Sequence, residues 1–339
     1  MTLTIVSTGM FGDASMHRFR AAAPDIEVYQ FPRAQSSEIP LDILARADVY
    51  YALTDFPAPE AAPNLKWVQI NWAGADRALR MPLFSSGTVQ LTTGAGIHAV
   101  NMGEYTLMMM LALAHRMPIA HKMMNEGRWP REGTWARGKD SAFMPMELRG
   151  ATLGLIGYGW IGKEIARLAG VFGMQVLAMR RSLHLSAGES VGEGEPNVTF
   201  IKRIDLSALL TQSDFVVLVV PSTPQTRGMI GATELAQMKP GAYLINIGRG
   251  DAVDETALCA ALQNGQIAGA ALDVFQQEPL PDDSPLWALA NAGKAILTPH
   301  IAGQTPHYEQ RAADLFAENL RRYVAGETLL NRVDFTRGY

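Results

Sequence analysis

The 339-residue chain contains one cysteine, Cys259. No internal disulfide can form, and a lone thiol has no companion for a zinc site. Its setting, "TALCAALQNG", is helical and apolar, so it reads as a buried structural thiol, compatible with a reducing compartment. Charge is sparse as well: 18% of residues are charged against 48% hydrophobic, and a net charge of −4 offers no basic excess for a nucleic-acid surface. That balance is globular rather than disordered. Long hydrophobic runs are missing. The richest, "LMMMLALA", is far short of the roughly 20 residues a membrane span needs, and Glu104 and His115-Arg116 flank it. The opening "MTLTIVSTGM" lacks a basic segment and a long apolar stretch, and it reads as a strand rather than a signal peptide. The histidines show no H-E-x-x-H spacing, so no metal site is expected. A cytoplasmic location is expected.

What is present is alternation. Short runs rich in Val, Ile and Leu recur: "LTIVS", "IEVYQF", "DVYYAL", "KWVQI", then "TLGLIG", "QVLAM", "DFVVLVV", "AYLIN", "IAGAALDV" and "AILTP". Helical stretches such as "GKEIARLAGVFG", "DLSALLTQS" and "DETALCAALQNG" separate many of them. Strands alternating with helices predict parallel sheets covered on both faces. The length suits two domains of about 100–200 residues each. The expected division is 1–98 plus 299–339 in one domain and 99–298 in the other. Between the two series, the pattern predicts a long helix from Asn101, which Pro118 kinks or ends. Residues 183–197 read as a polar surface loop, and the segment from Thr305 to Gly326 as a closing amphipathic helix with a glycine stop. Met108–Met110 read as core or subunit-interface packing.

The segment "TLGLIGYGWIGKEIARLAG" carries Gly157, Gly159 and Gly162 in the pattern G-x-G-x-x-G. Alone the pattern is weak, but here a strand precedes it and a helix follows. Gly157 would permit the tight turn, Gly159 the approach of a pyrophosphate, and Gly162 close packing of helix on strand. Trp160 and Ile161 sit between them, where a helix N-terminus would face the phosphates. About 20 residues on, an NAD site places a carboxylate for the ribose 2′-OH. Here the chain reads "QVLAMRRS", with Arg180, Arg181 and Ser182. Guanidinium groups bind phosphate bidentately where a carboxylate would repel it, so the pattern favours NADP(H), with NAD(H) possible.

Three segments downstream place polar groups just beyond apolar strand-like runs: "INIGRGDAVDETAL" with Arg249, "GAALDVFQQEPLP" with Asp273 and Glu278, and "ILTPHIAGQT" with His300. Open α/β sheets gather ligands at such strand ends. The ordered series "GYGWIG", "PSTPQTRGMI", "NIGRG", "LDVFQQEP" and "TPHIAG" resembles the D-isomer-specific 2-hydroxyacid dehydrogenases over nearly the whole length. The resemblance implies two doubly wound domains, Rossmann-like and flavodoxin-like, with parallel sheets and an active site in the cleft between them. It implies catalytic roles for Arg249, Glu278 and His300. The chemistry agrees. Reducing a 2-oxo acid needs a group to hold the carboxylate and polarise the ketone, which a guanidinium does. It also needs a proton donor, which an imidazole with an ordinary pKa near 6.5 supplies. Glu278 would fix the tautomer of that ring.

By the same resemblance, Ala73 and Gly74 in "VQINWAGADR" offer backbone N–H groups to the substrate carboxylate, while Asn71 and Trp72 shape the pocket. Pro221, Thr226 and Ile247 fall on the cofactor side, and Asp273 matches a nicotinamide-carboxamide contact. Trp129 and Trp135 lie in a segment that reaches a partner's active site in some relatives. A homodimer is expected, with a small acid such as glyoxylate or hydroxypyruvate as substrate and no membrane or nucleic-acid partner. Ending at Tyr339, the chain is too short for the regulatory domain usual in phosphoglycerate dehydrogenases, and Glu278 argues against formate oxidation. The rival readings are an NAD-using dehydrogenase of the same family and a dinucleotide-sensing, corepressor-like scaffold of the same fold.

Overall fold

Two compact units emerge in the computed structural model, residues 1–98 with 304–339, and residues 99–303. The structure describes every residue except Met1, Asp76, Ser86, 130–143, 180–197, 202–204 and 337–339. The expected loop 183–197, Arg180, Arg181, Ser182 and Trp135 therefore lie outside the described residues.

The first unit strings together β1 (Leu3–Ser7), α1 (Asp13–Ala22), β2 (Ile26–Gln30), α2 (Leu41–Arg46), β3 (Val49–Ala52), β4 (Trp67–Ile70) and β5 (Gln90–Thr92). All pairings are parallel and the order is β2-β1-β3-β4-β5, the flavodoxin-like arrangement. Central strands such as "VYYA" and "WVQI" are buried throughout, as a sheet covered on both faces requires. The C-terminal helix Tyr308–Val324 closes one face. Its Phe316 ring lies 5.1 Å from Phe19, 5.0 Å from Tyr51 and 5.3 Å from Trp67, within the range of favourable aromatic pairs. A buried polar chain ties that helix to the sheet. Asn319 Nδ2 donates to Gln69 Oε1 at 3.0 Å, Thr92 Oγ1 donates to the same oxygen at 2.8 Å, and Trp67 Nε1 donates to Thr92 Oγ1 at 2.7 Å. The expected glycine stop is there: Gly326 adopts φ +69° just past the helix.

The second unit opens with α3 (Ala99–Ala114) and α4 (Met117–Asn125). A helix kinked or ended at Pro118 was expected, and the break falls just before it. Arg116 turns left-handed at φ 56°, and Pro118 sits in the first turn of α4, where a missing N–H is harmless. Met109 and Met110 pack into the core, while Met108 is half exposed. There follow β6 (Thr152–Ile156), α5 (Trp160–Val171), β7 (Gln175–Met179), β8 (Val198–Ile201), α6 (Leu206–Gln212), β9 (Phe215–Leu218), α7 (Ala232–Gln237), β10 (Tyr243–Asn246), α8 (Glu255–Gln263), β11 (Gly269–Leu272), α9 (Pro285–Asn291) and β12 (Ala295–Leu297). They form one parallel sheet in the order β12-β11-β10-β9-β6-β7-β8, doubly wound about β6. Two apolar clusters cover its faces. The order reverses between β6 and β9, and such switch points open a crevice at the strands' carboxyl ends. Cys259 is buried in α8, and burial pushes its thiol pKa up.

The return to the first unit follows Gly303 rather than residue 298. The reason is local. The N–H groups of His300, Ile301 and Ala302 all bond to Asp273, and Asn101 Nδ2 donates to the Ala302 carbonyl at 2.8 Å. His300 thus belongs to the same unit as Arg249 and Glu278.

Candidate active site

At the end of β6 the three glycines meet three different constraints. Gly157 has φ +107°, and a Cβ there would lie 2.5 Å from the Val219 carbonyl oxygen. In α5, a Cβ on Gly162 would lie 2.4 Å from the Gly157 oxygen. Only glycine fits either place. Gly159, the residue capping α5, is the opposite: a Cβ built on it meets nothing within 4 Å. Packing does not require glycine there, whereas a ligand approaching the backbone would. This open cradle at the α5 N-terminus fits a dinucleotide pyrophosphate. Trp160 is exposed and Ile161 half-buried in the first turn beside it. β7 ends at Met179, paired with Ile156 at the end of β6.

The loops after β9 and β10 are held by their own side chains. Thr226 Oγ1 donates to the Pro221 carbonyl at 2.6 Å and accepts from Thr223 N at 2.9 Å. Ile247 is buried in the core, so a ligand would meet its backbone. Gly248 is packed against Val220, where a Cβ would lie 2.9 Å from the backbone nitrogen and oxygen. Buried Asn246 brackets the turn, accepting from Gly248 N at 3.1 Å and donating to the Arg249 carbonyl at 2.9 Å. The Arg249 guanidinium is half-buried and donates to the Gly248 carbonyl at 2.9 Å. Gly250 then presses on the loop that follows β11: a Cβ there would lie 1.9 Å from the Phe275 carbonyl carbon. This contact fastens the arginine's loop to the glutamate's.

Glu278 accepts from Phe275 N at 3.0 Å through Oε1, and its Oε2 lies 2.7 Å from His300 Nδ1. Since a carboxylate only accepts, the ring carries its proton on Nδ1 and leaves Nε2 for a reactant. The His300 side chain is 52% exposed and that of Glu278 37%. Ion pairs so open to water contribute only about 0–1 kcal/mol, so the pair matters for orientation more than for stability. The His300 backbone is left-handed, φ 54°. That conformation costs of order 1–3 kcal/mol in a non-glycine residue and needs surroundings that enforce it.

Asp273 is the enforcer. It is 2% exposed, and its carboxylate accepts from Thr298 Oγ1 at 2.7 Å, Ile301 N at 2.9 Å and Ala302 N at 2.9 Å, while its carbonyl accepts from His300 N at 2.9 Å. Tyr105 on α3 hydrogen-bonds Thr298 from behind, and burial pushes its hydroxyl up to about 12. Tyr105, Thr298, Asn246 and Asn101 carry no signal in the sequence. They are ordinary helix, strand-end and loop residues until the fold assembles them. A cavity of about 630 Å³ opens beside the pair, lined by Phe275, Leu280, Trp287, Leu297, Glu278 and His300 among others. Among the described residues, no group of three His, Cys, Asp or Glu side chains is placed to hold a metal. Likewise no helix is long and apolar enough to cross a membrane.

Ala73 and Gly74 lie in the first unit, on the loop after β4. Asn71 is half-buried, and its Oδ1 accepts from the buried Tyr51 hydroxyl. Trp72 packs against the core, its ring 6.3 Å from Phe56. Trp129 is exposed.

The chain is similar to known proteins over nearly its whole length. Residues 107–302 match the family described as D-isomer specific 2-hydroxyacid dehydrogenase, NAD binding domain, a span inside the second unit. The chain is 33% identical to a glyoxylate reductase of Thermococcus litoralis, over 91% of this chain and 90% of that protein. It shares a fold at TM-score 0.81 and 30% identity with a D-isomer specific 2-hydroxyacid dehydrogenase of Xanthobacter autotrophicus Py2, solved with NADPH and MES, covering all of both chains. An NADPH-dependent glyoxylate/hydroxypyruvate reductase of Sinorhizobium meliloti, solved with NADP and sulfate, superposes at TM-score 0.79 with 25% identity, again over both whole chains. A glycine cradle beside β6, a histidine–glutamate pair beyond β11 and β12, and these likenesses converge: the chain belongs to the D-isomer specific 2-hydroxyacid dehydrogenase family.

Proposed function

We propose that the protein is an NADPH-dependent reductase of small 2-oxo acids, of the glyoxylate or hydroxypyruvate kind, giving D-2-hydroxy acids. The observation that carries the reading is the His300–Glu278 pair at 2.7 Å, on a loop that Asp273 locks. A histidine with one nitrogen held by a carboxylate keeps the other for proton transfer, the arrangement general acid–base catalysis uses.

Gly157, Gly159 and Gly162 with the α5 N-terminus would hold the pyrophosphate; Pro221, Thr226, Ile247 and Asp273 would line the nicotinamide half. Arg180, Arg181 and Ser182, next in sequence after β7, would meet a 2′-phosphate, in keeping with the NADPH and NADP bound by the two solved relatives. When bound, the reduced nicotinamide supplies the hydride. Arg249 grips the substrate carboxylate and polarises the ketone, aided by the N–H groups of Ala73 and Gly74. For this step the ring carries a second proton, on Nε2, taken up from solvent; His300 would deliver it to the ketone oxygen as charge builds there, while the Nδ1 proton stays in the hydrogen bond to Glu278. Protons balance: one leaves His300 and one hydroxyl forms.

The test is absorbance of NADPH during incubation with glyoxylate, hydroxypyruvate, pyruvate and bulkier 2-oxo acids. Oxidation with at least one small acid is expected. The His300→Ala and Arg249→Ala variants should each lose about 10²-fold or more in kcat/KM. Turnover unchanged in both variants would remove the assignment.

A further inference from the structure

The loop after β4 has an anchor that catalysis as described above does not use. The hydroxyl of Tyr308, in the first turn of the C-terminal helix, donates to the Asn71 carbonyl at 2.6 Å. Tyr51 takes the Asn71 side chain, and Asn71 N donates to the Ala52 carbonyl at 3.0 Å. On the far side, Gly94 N donates to the Trp72 carbonyl at 2.8 Å, and a Cβ on Gly94 would lie 2.6 Å from the Asn71 oxygen. The His98 ring, 5.0 Å from that of Tyr308, packs against it. Burial pushes the Tyr308 hydroxyl up to about 12, so it is a neutral donor at any working pH.

A trans peptide is planar, so fixing its oxygen fixes the opposite direction of its N–H. Holding the Asn71 oxygen therefore sets the plane of the Asn71–Trp72 peptide. The chain leaves that peptide directly into Ala73 and Gly74. A tilt there re-aims the next amides, and tight anion binding by backbone N–H groups depends on their convergence.

We propose that Tyr308 is a positioning residue for the 2-oxo acid's carboxylate, acting through the Asn71–Trp72 peptide. The inference rests on the reductase reading, in which Ala73 and Gly74 face that carboxylate. The Tyr308 hydroxyl is committed to the Asn71 carbonyl, so its proposed effect reaches the acid through that peptide. Its effect falls on binding of the acid and leaves the dinucleotide alone.

Tyr308→Phe keeps the ring and its packing and removes only the donor. Steady-state kinetics should show KM for the 2-oxo acid, and the inhibition constant of oxalate as a carboxylate probe, rising together by about tenfold, the scale of one lost hydrogen bond. Turnover at saturation should stay within about threefold, as for lost uniform binding, with KM for NADPH unmoved and the thermal midpoint lowered by only a few degrees, about the cost of one lost hydrogen bond. Tyr51→Phe, which frees the Asn71 side chain instead, should move the same two constants in the same direction. Acid and oxalate constants unmoved in Tyr308→Phe, or NADPH constants rising in step with them, would overturn the positioning role and leave the reductase reading standing. Wild-type protein that oxidises no NADPH with any 2-oxo acid would instead remove the reading itself, and this role with it.

Discussion

Replacing Asp273 by Asn tests whether the histidine's setting was read correctly. The wild-type carboxylate accepts on both oxygens, from Thr298 and Ile301 on one and from Ala302 on the other, at 2% exposure. An amide has one oxygen. It satisfies the first side or the second, and its NH2 group then faces an N–H. One charge-assisted buried hydrogen bond is lost, about 2–3 kcal/mol. In a unit of about 200 residues each kcal/mol moves the midpoint by about 2–4 °C, so a fall of about 4–12 °C is expected. The left-handed His300 backbone, worth of order 1–3 kcal/mol of strain, loses part of what enforces it. A displacement of about 1 Å at the proton donor costs on the order of 10²-fold in turnover. Scanning calorimetry and NADPH-coupled kinetics read the two effects. Asp273→Asn should lower both midpoint and kcat, with KM for NADPH changing less. An unchanged midpoint with intact kcat would refute the argument.

The glycines give a contrast. Gly159→Ala should leave the thermal midpoint within about 1 °C, since its Cβ meets nothing, yet raise KM for NADPH by about tenfold or more by crowding the pyrophosphate. Gly157→Ala, at φ +107° and 2.5 Å from a carbonyl oxygen, should instead lower stability by about 2 kcal/mol or more, read by urea denaturation. Gly250→Ala should be worse for turnover than for cofactor binding: its Cβ would stand 1.9 Å from the Phe275 carbonyl carbon, so the Arg249 loop must withdraw, with a loss of about 10²-fold in kcat/KM. The double change Arg180→Ala with Arg181→Ala should weaken NADPH by about tenfold or more while NADH moves little, measured by fluorescence titration; equal effects on both would remove the 2′-phosphate assignment.

The sequence was most legible where one residue type has one physical use. Glycine in G-x-G-x-x-G between a strand and a helix can be read because steric freedom is local, and the structure gives Gly157 and Gly162 contacts no side chain would survive. Apolar runs such as "FVVL" and "YLIN" announce buried parallel strands, because both faces of such a strand are covered. Two strands escaped notice. β5 is only three residues long, and "VTFI" of β8 adjoins a polar stretch that masks its pattern. The break near Pro118 was legible, but its seat at Arg116 was not, since Pro118 marks a helix start as readily as an end.

The sequence by itself determined the fold class and the glycine turn at the end of β6, since these follow from local sterics and apolar patterning, and it marked Arg249, Glu278 and His300 as the proposed catalytic groups through their resemblance to the family. Tertiary structure alone decided which partner each side chain has. It assigned the His300 loop to the second unit, turned Asp273 into its lock, put Tyr105 behind Thr298, and set Tyr308 against the Asn71 carbonyl across more than two hundred residues of chain. Such pairings depend on the order of strands in a sheet and the seating of helices on it. No pattern along the chain encodes them, because the distances that matter exist only after the apolar faces have been buried.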